Sequence, residues 1–140
     1  MFEVRTVRFP EEFPLVKDLW AGAGSGIQLR ASDEIDEMKK KLLRDPDLFL
    51  AAFKGEEIAG AVLGGYDGRR GMVYHLAVAG PFRRQGVGRL LMEELEKRFR
   101  AKGCIKYYLL VTKNNHEALD FYQAFGCDIM NLHVLGKELP

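Results

Sequence analysis

Cysteine is scarce in this 140-residue chain: Cys104 and Cys127 stand far apart, with no C-x-x-C pair. That excludes a disulfide scaffold and a cysteine-based zinc site, and the expectation is two small buried thiols in a cytoplasmic protein. The three histidines, His75, His116 and His133, are not spaced like metal ligands, so no metal is expected. Charge of one sign is lacking too. With 21 basic and 20 acidic side chains the net charge is +1, which gives no reason to expect nucleic acid or an anionic membrane as partner. No apolar run approaches the roughly 18 residues of a membrane span, and Phe2 to Arg8 alternates charge with apolar residues rather than opening as a secretory signal. There is no G-x-x-x-x-G-K-[ST] phosphate loop, no internal repeat, no low-complexity segment and no linker. A hydrophobic share of 47% then points to one globular domain over residues 1–140.

What the chain does carry is concentrated between residues 72 and 89. Met72 to Ala79 is a compact apolar run suited to a buried strand, and Gly80-Pro81 stops it. A basic, glycine-punctuated turn follows, Arg83-Arg84-Gln85-Gly86-Val87-Gly88-Arg89. Val87, Leu90, Leu91, Leu95 and Phe99 then recur at helical spacing. A helix N-terminus presents unpaired N–H groups and the positive end of the helix dipole. Glycines at 86 and 88 let a ligand approach that backbone, and the arginines add bidentate donors. The arrangement suits a pyrophosphate, although a plain strand–turn–helix connection with solvated arginines has the same pattern. A dinucleotide fingerprint would need a glycine where Leu91 stands.

The remaining elements follow from periodicity and turn chemistry. Residues 2–8 read as a strand, and Pro10-Glu11-Glu12 as the start of a helix with Phe13, Val16, Leu19 and Trp20 inward. Residues 21–26, Ala-Gly-Ala-Gly-Ser-Gly, read as a helix C-cap and a loose loop, with a mobile lid over a substrate cleft as the functional alternative. Ser32 or Asp33 caps a second helix, and residues 48–54 and 58–66 pair as a hairpin. A helix to about 102 and a strand over 104–112 complete a parallel βαβ unit. Asn114 with Glu117 reads as a capping box for a helix bearing Ala118, Phe121, Tyr122 and Phe125, and residues 127–131 and 132–138 as a last hairpin. The order β-α-α-β-β-β-α-β-α-β-β describes a mixed α/β fold with a central mixed sheet of six to seven strands and about four helices.

Two motifs in this order carry a resemblance. Arg83-x-x-Gly86-x-Gly88 is similar to the [QR]-x-x-G-x-[GA] signature of the GNAT superfamily of acetyl-CoA-dependent N-acetyltransferases. Asn115-x-x-Ala118-x-x-Phe121-Tyr122-x-x-Phe125-Gly126 is similar to a second segment of that superfamily, and the element order matches along nearly the whole chain. The segment Gly64 to Gly68, with Glu94, Arg98 and Gly103-Cys104, resembles a small single-domain bacterial subgroup.

The resemblance implies direct transfer of an acetyl group from acetyl-CoA to a primary amine, of a small molecule or a protein. It implies two splayed parallel strands, with the backbone of Leu76, Ala77 and Val78 pairing to the pantetheine arm. The stretch Arg83, Arg84, Gln85, Gly86, Val87, Gly88 and Arg89 would hold the pyrophosphate, and Asn115 would lie beside the pantetheine or acetyl end. Val78 N–H would be the oxyanion donor and Tyr122 the acid for the departing sulfur. No base follows in the same way. Leu110 stands where protein N-terminal acetyltransferases of the superfamily carry glutamate, and strand alternation turns His75 under the sheet, away from Met72 and Tyr74. His75 therefore stays one candidate base, beside a water chain or an acid of the 24–37 region such as Asp33. An acyl-CoA-binding sensor without turnover is the alternative, and dimerisation through an edge strand is left open.

Overall fold

The computed structural model describes residues 1–23, 27 and 29–140. Five strands form one sheet in sequence order: β1 (Glu3–Thr6), β2 (Phe49–Lys54), β3 (Glu57–Tyr66), β4 (Gly71–Val78) and β5 (Tyr107–Leu109). β1 to β4 run antiparallel, and β5 joins β4 in parallel. Four helices, α1 (Phe13–Ala21), α2 (Ile35–Arg44), α3 (Val87–Ala101) and α4 (His116–Ala124), cover the two faces, and α3 is the crossover between β4 and β5.

The faces are built by period. On β2, alternate residues Phe49, Ala51 and Phe53 pack with Phe13, Val16 and Trp20 of α1 and Met38 of α2. Leu50 and Ala52 face the other way, toward Val87, Leu91, Leu95 and Phe99 of α3 and Tyr122 of α4. Covered on both sides, the strand is apolar from Phe49 to Phe53 instead of alternating. Each fully buried leucine such as Leu91 or Leu95 contributes about 1.5–3 kcal/mol.

Six or seven strands were expected, and five are present among the described residues. The missing ones are the hairpin over 127–138. Every residue from 128 to 140 is exposed, including Ile129, Leu132, Val134 and Leu135. The neighbouring edge, β5, offers only three paired positions, too short a template for a further strand. Three caps also differ. α1 starts at Phe13, with Pro14 in its first turn, because Glu12 turns back to accept from Arg8 N at 2.7 Å and from Arg5. Asp33 ends a short 3-10 turn (Ala31–Asp33) instead of capping α2. At α4 the cap is Asn115, whose side chain accepts from Ala118 N at 3.1 Å, so the Asn114–Glu117 box does not form. The loop expected over 21–26 lies at residues 24–26 outside the described residues.

β4 is not a regular strand. Leu63 faces His75 and Gly64 faces Val73, so Tyr74 is an extra residue, a β-bulge. The bulge re-phases alternation. Val73 lies in the α3 cluster, whereas His75, two residues later, packs against Trp20 of α1.

Candidate active site

β5 pairs with β4 only as far as Val73↔Leu109. Beyond it the two parallel strands part, while β4 stays paired to β3 up to Val78↔Gly60. Ala79 gives its N–H to Ala59 O at 2.8 Å. Alternation along an extended strand therefore turns the backbone of Ala77 to β3 and those of Val78 and Leu76 into the gap that β5 has left. Of the three residues the sequence singled out here, two present N–H and C=O to the gap and Ala77 presents neither.

The chain leaves β4 through a 3-10 turn (Gly80–Phe82) anchored by buried Phe82, whose ring meets Phe2 edge-on at 5.8 Å. Arg84 then takes φ +62° and Gly86 φ +82°, left-handed geometry that costs glycine nothing. Gly86 caps α3 with no side chain, and the first helical bond is Leu90 N–H to Gly86 O at 3.0 Å. The N–H groups of Gly86, Val87, Gly88 and Arg89 consequently have no acceptor among the described residues. With the helix dipole behind them they form an anion-binding cradle. Arg83 and Arg84 are exposed beside it. Gln85 folds back to donate to Pro81 O at 3.2 Å, Val87 is buried, and the Arg89 guanidinium lies 5.2 Å over the Phe125 ring. Those three side chains serve the turn and α4, so the cradle is made of backbone.

α4 closes the same face. Gly88 abuts Phe121, and Tyr122 packs in the cluster that includes Val87 and Leu91 and that Val78 touches. The Tyr122 hydroxyl makes no hydrogen bond among the described residues, and burial, with a smaller contribution from nearby Cys127, pushes its phenol well above the ordinary tyrosine range. It stays protonated at neutral pH, as a proton donor must. Asn115 is held by its capping bond. Leu110 lies past the end of β5, 60% exposed.

The other face joins two residues that the sequence named separately. His75 Nε2 and Asp33 Oδ1 are 2.9 Å apart. Alternation argued against this, and only the bulge at Tyr74, which has no signature in a single sequence, allows it. A second unread cluster supports α3 against β5: Tyr107 donates to Glu96 at 2.7 Å and touches Cys127 Sγ at 3.7 Å. Both cysteines are unpaired thiols. No group of metal-ligating side chains occurs among the described residues, and no helix there is long and apolar enough to cross a membrane.

The sequence model of the Acetyltransferase (GNAT) family matches residues 13–127. The chain belongs to the GNAT family. An acetyltransferase of Pectobacterium atrosepticum is 38% identical over 137 residues, covering 98% of this chain and 95% of the relative. One of Sodalis glossinidius is 35% identical over 138 residues with the same coverage, 98% and 95%. Full-length similarity to named acetyltransferases identifies this GNAT protein as an enzyme of the N-acetyltransferase class. Among solved structures, a PaiA N-acetyltransferase of Thermoplasma acidophilum in complex with coenzyme A superposes with a TM-score of 0.79 at 19% identity, covering 95% of this chain and 93% of that one. An aminoglycoside acetyltransferase from a soil metagenome, in complex with sisomicin, gives 0.76 at 17% identity, covering 99% and 97%. At such identities these structures show the fold, and it is the GNAT fold.

Proposed function

We propose that this GNAT enzyme transfers the acetyl group of acetyl-CoA directly to a primary amine. One observation carries the reading: the unpaired backbone of Leu76 and Val78 opens into the β4–β5 gap next to the unpaired N–H cradle at Gly86 to Arg89. Unpaired backbone is costly to leave unsatisfied, and the two sets match the two ends of coenzyme A. A pyrophosphate suits the cradle, flanked by Arg83 and Arg84. The amide-bearing pantetheine arm suits a strand edge, where it pairs as an added strand.

The residues then divide the chemistry. Val78 N–H donates to the oxygen of the thioester carbonyl as it gains charge, and Tyr122 supplies the proton that the departing sulfur needs. Asn115 lies beside the pantetheine or acetyl end, and its cap also steadies the start of α4 and so the position of Tyr122. That the PaiA enzyme was solved with coenzyme A and the metagenomic enzyme with an aminoglycoside supports an acyl-CoA donor and an amine acceptor.

The test is thermal unfolding with acetyl-CoA, with ATP and NAD as controls, followed by coenzyme A release in the presence of amines. Acetyl-CoA at 100 times its Kd should stabilise by about 2.7 kcal/mol, and the two controls should not. No shift with acetyl-CoA in a folded sample would remove the reading.

A further inference from the structure

The proton that an ammonium must lose before it can attack has no acceptor among the groups described so far. We infer that His75, held by Asp33, takes that proton; the inference rests on the transfer reading above. The pair is built, not incidental. Asp33 is 5% exposed and uses both carboxylate oxygens, accepting from Arg30 N at 2.9 Å and meeting His75 Nε2 at 2.9 Å. Trp20 meets the imidazole at 65° with centroids 4.8 Å apart, fixing the ring plane. A carboxylate only accepts, so Nε2 carries a proton, and Nδ1 is the ring position at which a second proton is gained or lost. Nδ1 has no hydrogen-bond partner among the described residues. Trp20 Nε1, buried beside the ring, also lacks an acceptor, an uncompensated donor of the kind that functional sites retain.

Position supports the assignment. His75 follows the bulge at Tyr74, where β5 departs from β4, and it precedes Val78 by three residues, about 10 Å along the strand. Tyr122 lies on the α3–α4 face and His75 on the α1–α2 face. The acid and the base therefore lie on opposite faces of the sheet that the gap divides. Of the charged or titratable groups, Asp33 from the 3-10 turn is in contact with His75; the neighbouring Tyr74 on β4 has Lys41 of α2 6.0 Å over its ring, and Lys41 pairs with Asp45. α1 presents Trp20, and β3 presents Leu63, neither of them charged.

The balance is as follows. Nδ1 takes one proton from the ammonium, and the neutral nitrogen forms the C–N bond as the C–S bond breaks. The sulfur takes a proton from Tyr122, whose hydroxyl is restored by the second proton that the nitrogen sheds. His75 releases its proton to solvent, one proton per turnover.

The experiment compares wild type, His75→Gln and Asp33→Asn with two nucleophiles at pH 7: a protonated alkylamine, spermidine, and hydroxylamine, which is already neutral. Loss of the base should lower kcat/KM for spermidine by about 10²–10³, remove the acid limb of its pH profile, and leave hydroxylamine within about threefold. Asp33→Asn should show the same selectivity to a smaller degree, while acetyl-CoA Kd and Tm confirm that both variants are folded. Equal losses with both nucleophiles, or an unchanged acid limb in His75→Gln, would overturn the assignment. Wild type that binds acetyl-CoA but acetylates neither nucleophile would overturn the transfer reading and this inference together.

Discussion

Gly88 and Phe121 lie so close that a Cβ added to Gly88 would stand 3.2 Å from the Phe121 ring. The glycine that exposes the cradle is thus also the point where α3 meets α4, and through α4 the position of Tyr122. A larger side chain disturbs both. Gly88→Val should cost about 1–3 kcal/mol of stability and weaken acetyl-CoA binding, read as a lower Tm and a smaller ligand-induced shift.

Gly86 tests the cradle from the other end. Its φ of +82° leaves open space around a new Cβ, so Gly86→Ala strains the backbone without a clash. The expected cost is about 1 kcal/mol in a urea melt, with Kd for acetyl-CoA raised. An unchanged melt would mean that the turn relaxes freely.

Tyr122 separates an enzyme from a sensor. Tyr122→Phe removes the hydroxyl but keeps the packing, so stability and acetyl-CoA Kd should hold while kcat falls by about 10²–10⁴. Turnover that survives the change would remove the acid role.

Glu12 governs acid stability near the first strand. Its bonds to Arg5 and to Arg8 N hold its carboxyl down at about 2. The unfolded value is about 4.3, so the contribution is fully present above that pH and is lost as pH falls through 2. Glu12→Gln should lower Tm by a few degrees at pH 7 and flatten the decline in stability between about pH 4 and 2, as followed by circular dichroism.

The order of elements was legible because each signal was local. Helical spacing marked α3, β-branched and aromatic residues marked β2 to β4, and glycine marked the turns. The cradle was legible because backbone N–H groups need only a glycine and a helix start. Two things were not. The phase of β4 beyond Tyr74 depends on the bulge opposite Gly64, which packs against Leu95 and Phe99 of α3, and such a bulge has no signature in a single sequence. The segment 127–138 alternates like a strand, yet a strand also needs a partner, and periodicity says nothing of partners.

The parting of β5 from β4 leaves one strand with two exchange regimes. Along β4, the amide hydrogens of Ala77 and Ala79 point into the ladder with β3, whereas those of Leu76 and Val78 face the gap. Neighbouring amides in the heart of the sheet should therefore swap deuterium at rates that alternate residue by residue. A bound pantetheine arm would slow the fast set and leave the slow set as it is.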